Sequence, residues 1–211
     1  MIFYLVRHGQ TNWNLEGKIQ GKTDIPLNEA GLRQAEFLAA ALENRKLEAV
    51  YASPLSRALA TAELVARQSG LTVQILPQLR EVDFGLWEGK GWREVEASYG
   101  EDFRRWDQDP ARAAPTGGES RESCKKRCRQ AIEELIRREE HCVALVAHGG
   151  ILVHLIDYLL RNQMQRERII VKNASISTVE YDPQTGLGTL LVLNDTAHLA
   201  LSGIKSINKY N

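Results

Sequence analysis

Short apolar runs alternate along the chain with stretches whose apolar residues recur every three or four positions. Ile2–Val6, Ala49–Ala52, Thr72–Leu76 and Val143–Ala147 are such runs, each the length of a buried strand. After the first, Leu32, Ala35, Leu38, Ala39 and Leu42 recur at helical spacing behind Asn28, a residue suited to capping a helix start. Leu55, Ala58, Leu59, Ala62 and Val65 mark a second helix beyond the Ser53-Pro54 break. A third, capped by Ser120 or Ser123, turns Cys124, Cys128, Ala131, Ile132, Leu135 and Ile136 inward, and an apolar helix runs from His148-Gly149-Gly150 to Leu160. Ser175–Tyr181 and Thr189–Leu193, joined by Asp182-Pro183-Gln184-Thr185-Gly186, read as an antiparallel hairpin. Strands apolar on both faces and separated by helices predict an α/β fold. The expected form is a three-layer α/β/α sandwich, its sheet mostly parallel with an antiparallel edge.

One segment breaks the rhythm. Residues 84–118 carry Phe84, Trp87, Trp92, Tyr99, Phe103 and Trp106 and close on Pro115-Thr116-Gly117-Gly118. A small helical cap over a site is one reading of this insertion; aromatic packing of the insertion onto the core is the other. No internal repeat divides the rest, so residues 1–211 are expected to form a single domain with this cap inserted at about 84–118.

Composition narrows the partners. Lys and Arg number 27, as do Asp and Glu, giving a formal net charge of zero, which argues against a nucleic-acid binder relying on bulk positive charge. The apolar start Met1–Val6 meets Arg7-His8 far short of a secretory or membrane-spanning length, so no membrane partner and a cytoplasmic location are expected. Three cysteines make no disulfide framework. Cys124 and Cys128 lack the short-turn spacing of paired zinc thiolates, so core packing is the expectation and no metal. Lys125, Lys126, Arg127 and Arg129, interleaved with acidic residues, read as a solvated helix face. An exposed edge strand or the cap surface offers a place for two copies to pair as a homodimer.

Candidate chemistry gathers at the strand ends. His8 follows the strand Ile2–Val6 and His148 the strand Val143–Ala147, and each precedes a glycine. In an open α/β sheet ligands bind beyond the carboxyl ends of parallel strands, so both imidazoles should reach one crevice. Arg7 stands beside His8, and Arg57 lies in the first turn of the helix after the second strand. Guanidinium forks and a helix N-terminus suit a dianionic phosphoryl group. Glu81 and Asp83, in one loop after the third strand, both qualify as a proton donor to a leaving oxygen, and spacing does not choose between them.

The motifs Leu5-Val6-Arg7-His8-Gly9-Gln10-Thr11-Asn12-Trp13-Asn14, Ser53–Arg57, Glu81 with Phe84-Gly85, Gly117-Gly118-Glu119-Ser120 and Ala147-His148-Gly149-Gly150 stand in one collinear series. Together they closely resemble the histidine phosphatase superfamily, also called phosphoglycerate mutase-like. The stretch Glu101–Trp106 leading to Gly117-Gly118-Glu119-Ser120 is most similar to its phosphoserine and α-ribazole phosphatases. The resemblance implies that His8 is a nucleophile forming a phosphohistidine that water resolves. It implies that Arg7, Arg57 and His148 hold the phosphoryl oxygens and that Glu81 is the proton donor. Asn14, Gln20, Gly21 and Gly149 would contact the phosphate or the group beyond it. No cofactor and no metal are implied, and the substrate would be a small phosphorylated metabolite. Two alternatives accompany this expectation. A cofactor-dependent phosphoglycerate mutase is disfavoured by Glu-Val-Asp-Phe-Gly at residues 81–85, where mutases typically read Glu-Arg-His-Tyr-Gly, and by the short chain. An inactive phospho-ligand binding module is disfavoured because every site position is filled.

Overall fold

The computed structural model describes residues 1–109, 112–161 and 169–200. Six strands form one open sheet: β1 (Ile2–Arg7), β2 (Ala49–Ala52), β3 (Val73–Ile75), β4 (Cys142–Ala147), β5 (Ile176–Asp182) and β6 (Leu187–Asp195). Their order across the sheet is β3-β2-β4-β1-β5-β6. The first four run parallel, and β5 and β6 add the antiparallel edge. The third strand is shorter than the run Thr72–Leu76, because Pro77 opens a 3₁₀ turn over Pro77–Leu79.

Period-two alternation assigns each strand residue to a layer. Val143, Leu145 and Ala147 of β4 join Phe3, Leu5 and Tyr51 on one face of the sheet, while Ala144 and Val146 join Val6, Val50 and Ala52 on the other. Helices α6 (Arg121–Leu135) and α7 (Gly149–Leu159) cover the first face; α2 (Glu29–Leu42) and α3 (Ser56–Gln68) cover the second. The predicted α/β/α layering is therefore present. Each fully buried Leu, Ile or Val adds about 1.5–3 kcal/mol of transfer free energy, which ties the strand ends to a rigid frame.

Helix α2 departs from its expected face at one point. Ala35, Leu38, Ala39 and Leu42 are buried, but Leu32 is 46% exposed. The start of α2 packs instead on the backbone of residues 9 and 10: a Cβ on Gly31 would lie 2.0 Å from the Gln10 carbonyl oxygen. Gln34, fully buried, accepts the Gln10 amide at 2.8 Å. Asn28 caps α2, accepting from the Gly31 amide, and Ser120 rather than Ser123 caps α6.

Between β3 and α6 lie α4 (Trp92–Ser98), α5 (Gly100–Gln108) and a 3₁₀ turn at Gly85–Trp87. Trp87 is fully buried at their centre, edge-on to Trp92 and Trp106. A short helix α1 (Asn12–Glu16) follows β1, and α8 (Ala197–Ala200) follows β6. Among the described residues, no helix is long and apolar enough to cross a membrane.

Candidate active site

Three neighbouring strands deliver the reactive groups. β2, β4 and β1 are adjacent and parallel, and the chain leaves them at Ser53, His148 and His8. The His8 amide donates to the Ala147 carbonyl at 3.1 Å, and the Ser53 amide to Val146 at 3.0 Å, so all three side chains sit on continued sheet register. The His8 and His148 ring centroids are 5.1 Å apart.

The orientation of His8 follows from one bond. Its Nδ1 lies 2.6 Å from the Gly9 carbonyl oxygen, an acceptor only, so Nδ1 carries the proton and Nε2 keeps its lone pair. Burial pushes the imidazole pKa well below the ordinary value, and the charges of Arg57 and Arg7 push it the same way. His8 is thus a neutral ring with one free nitrogen. His148 is neutral for the same reasons: burial first, then Arg57, His8 and Arg7. Arg57 Nε donates to its Nδ1 at 3.2 Å, and Nε2 meets Ser53 Oγ at 2.8 Å.

Arg57 is fully buried. Its position in the first turn of α3 lies on the same helical stripe as Thr61 and Val65, which turns it into the crevice rather than into solvent. It donates to the carbonyls of Thr23 (2.9 Å) and Gly21 (2.7 Å). Desolvation lowers its guanidinium to about 10, still charged at neutral pH. The loop it grips is held twice more. Asp24 accepts from Ser56 at the start of α3, and Glu88 accepts from the amides of Lys22 and Thr23. Arg7 donates to the Val171 carbonyl, and its buried Nε has no partner among the described residues. A buried guanidinium N–H without an acceptor is a place prepared for an anion.

Arg7, His8, Asn14, Gln20, Gly21, Arg57 and Glu81 line one pocket. Its cavity is about 80 Å³, room for a few waters or one phosphoryl group, given about 30 Å³ per water in the liquid. His148 lies beneath it. Gly149 does not line it but packs on the Arg7 guanidinium, where an added Cβ would sit 3.5 Å from Cζ. Gln20 accepts from Thr11 Oγ1, and Asn14 Oδ1 accepts from Thr11 and Asn173.

The two carboxylates of the Glu81 loop part company. Asp83 pairs with Lys22 at 2.7 Å and accepts the Gly85 amide, away from the histidines. Glu81 enters the pocket and accepts from the first-turn amides of α7, Gly150 and Ile151, each at 3.1 Å. A Cβ on Gly150 would stand 2.8 Å from Glu81 Oε1, so a larger residue here would push the carboxylate from this position.

Two site-building residues escaped the sequence reading. Asn173, buried before β5, donates to the carbonyls of His8 and Gly9 and to Asn14, fastening α1 to the end of β1. It lies in an irregular segment with no periodic signal. The other is Arg127, expected on a solvated face but 7% exposed. Its five N–H donors meet five oxygens: the carbonyls of Gln78, Arg80 and Glu81 and both oxygens of Glu119. Arg127 therefore clamps the backbone that carries Glu81. Its place three residues after Cys124 and four before Ala131 was the signal available, one that the neighbouring charges masked.

Burial by itself would raise the Glu119 carboxyl, but the Arg127 guanidinium outweighs it and holds the group at about 2. A depressed carboxyl stabilises the fold above its unfolded value near 4.5, and that contribution is lost as pH falls toward 2. Arg127→Met is expected to cost about 3–5 kcal/mol at pH 7, since it strands a buried carboxylate. Chemical denaturation should show the deficit shrinking at pH 3. A difference independent of pH would disprove the ion-pair account.

The sulfur groups and His198 lie outside the phosphoryl pocket. Cys124 and Cys128 are buried beneath α6, and desolvation raises both thiols, Cys128 to about 12. Among the described residues no three His, Cys, Asp or Glu side chains group to hold a metal. His198 Nε2 meets the Ala174 carbonyl at 2.9 Å.

A neutral imidazole with one free ring nitrogen, set beside two guanidiniums at the strand ends of an α/β sheet, is an arrangement suited to a phosphoryl group. The family model described as "Histidine phosphatase superfamily (branch 1)" matches residues 3–196. Phosphoserine phosphatase 1 of Hydrogenobacter thermophilus is 34% identical over 197 residues, 92% of each chain. A Yersinia pestis protein named "Probable phosphoglycerate mutase GpmB" is 31% identical over 211 residues, 98% of each chain. The crystal structure of the α-ribazole phosphatase from Shigella flexneri superposes with a TM-score of 0.83 at 32% identity, covering 92% of this chain and 96% of that one. The chain belongs to the histidine phosphatase superfamily, and it is an enzyme of the phosphoric monoester hydrolase class.

Proposed function

We propose that this protein hydrolyses small phosphomonoesters without a metal, through a phosphohistidine on His8. The observation that carries this reading is the His8 ring itself: neutral, anchored through Nδ1–H on Gly9, with Nε2 free beside two buried arginines. In the first step Nε2 attacks phosphorus. The N–P bond forms, the P–O bond to the alcohol breaks, and Glu81 gives its proton to the leaving oxygen. In the second step a water oxygen attacks the same phosphorus and its proton passes to Glu81. The N–P bond breaks, and inorganic phosphate leaves with His8 restored.

Arg7 and Arg57 supply positive charge against the negative charge spread over the three equatorial oxygens in a loose phosphoryl-transfer transition state, which is why no divalent ion is invoked. Asn14 lines the same pocket, and His148 orients Arg57 by accepting its Nε–H at Nδ1. Relatives named for phosphoserine and α-ribazole phosphates support a small phosphorylated metabolite as substrate.

Similarity to a protein named as a mutase keeps one other outcome in view: transfer of the phosphoryl group to a second alcohol. Measuring free phosphate against isomerised product from 3-phosphoglycerate separates the two. We expect phosphate release across a panel of phosphomonoesters, undiminished in excess chelator, with isomerisation under a tenth of it. Predominant isomerisation would replace the phosphatase reading with the mutase one, and loss of turnover in chelator would overturn metal independence.

A further inference from the structure

A second chamber opens next to the phosphoryl pocket, and it differs from the pocket in size and character. Its cavity is about 340 Å³, within the range of small-molecule sites. Aromatic and aliphatic side chains, from Val82, Phe84, Trp92, Trp106 and Val153 to the run 169–171, supply most of its wall, and Glu119, Arg121 and His154 bring polar groups to it. Phe84 and Trp92 line both spaces. Gly149 and Gly150 form part of the chamber wall, and these are the residues that touch Arg7 and Glu81 on the pocket side. The chamber thus begins beside the place where Glu81 would meet a leaving oxygen, so the group attached to that oxygen can extend into it.

Resting on the phosphatase reading above, we infer that the leaving alcohol is bulky and mainly apolar, with a ring as its natural filling, rather than a small charged group such as serine or glycerate. The wall geometry supports a flat group. Trp92 and Trp106 stack with ring centroids 5.5 Å apart and planes at 16°, and Phe84 stands edge-on to both at 6.0 and 6.5 Å. This arrangement extends one aromatic surface from the mouth of the phosphoryl pocket into the chamber, and a substrate ring can continue the edge-to-face series. The carboxylate of Glu119 on the wall is committed to Arg127 and offers an ammonium group little. Tryptophan and valine would desolvate an amino acid's paired charges, and the carboxylate alone would find basic groups on the wall, at Arg121 and His154.

The test uses primary alkyl phosphates, whose leaving oxygens are chemically alike: ethyl phosphate, phosphoserine and 2-phenylethyl phosphate. We expect kcat/KM for 2-phenylethyl phosphate to exceed that for phosphoserine and for ethyl phosphate by more than tenfold, mostly through KM. In Trp106→Ala the phenylethyl-to-ethyl ratio should fall at least fivefold, and Trp106→Phe should restore most of it. Because the ratio is taken within one preparation, a partly misfolded variant does not distort it. Binding of 2-phenylethyl phosphonate and ethyl phosphonate, followed by tryptophan fluorescence, is read separately from turnover. Preferred binding of the aryl phosphonate without any hydrolysis would uphold the chamber and sink the phosphatase reading. Equal binding of both phosphonates, or a preference for phosphoserine, would overturn the inference.

Discussion

His8→Ala is expected to eliminate both phosphate release and the acid-labile phosphoprotein that the proposed mechanism requires of the wild-type enzyme during turnover. The expected loss is roughly four to six orders of magnitude in kcat, the scale on which removal of a nucleophile acts in covalent enzymes. The size follows from the geometry. Arg7, Arg57 and His148 remain to bind the phosphoryl group, so KM should move little, while no other described nucleophile sits at the pocket floor. Asn173, donating to the carbonyls of His8 and Gly9, keeps the backbone in place after truncation, so the variant should stay folded. Circular dichroism and rapid acid or base quench with radiolabelled substrate check both points. Acid-stable label in the wild-type enzyme, or turnover of the variant within tenfold of wild type, would show that phosphorus is attacked by something other than this imidazole.

Glu81→Gln produces the second large effect, and it depends on the substrate. With an alkyl phosphate the leaving oxygen must be protonated as the P–O bond breaks, so the loss should be about 10²–10⁴-fold, the range for general acid catalysis. With p-nitrophenyl phosphate the leaving phenolate needs no proton, and the first step should slow by less than tenfold. The second step still lacks its base. Phosphoenzyme should therefore accumulate, seen as a burst of nitrophenolate followed by slow turnover. Glutamine retains the size and one acceptor oxygen toward the α7 amides of Gly150 and Ile151, so the loop position survives. A loss of equal size on both substrates would mean that Glu81 serves structure and not proton transfer. Asp83, paired with Lys22 on the outer side of the loop, would then have to be reconsidered.

Much of this protein was legible without coordinates, for identifiable reasons. Strand alternation in Val143–Ala147 reports two buried faces at once, since odd and even residues enter different cores. His8 and His148 follow parallel strands, and strand direction alone carries both to one edge. Charge patterning misled at Arg127, where basic neighbours suggested solvent while the helical period placed it beside Cys128. Leu32 failed for the opposite reason: an apolar residue at the right spacing gave way to Gly31 and Gln34, because the helix start had to approach backbone.

The sequence by itself determined the layer architecture and brought the two strand-end imidazoles and the arginines beside them to one edge, because these depend on periodicity and on positions relative to strand ends. Tertiary structure alone decided which ring nitrogen of His8 is free and which carboxylate of residues 81 and 83 faces it. It also joined the phosphoryl pocket to an aromatic chamber built from residues more than eighty positions apart. The carboxylate and the chamber rest on distances of a few ångströms between segments remote in the chain, and the His8 nitrogen on a side-chain rotamer against Gly9, none of which local residue patterns record.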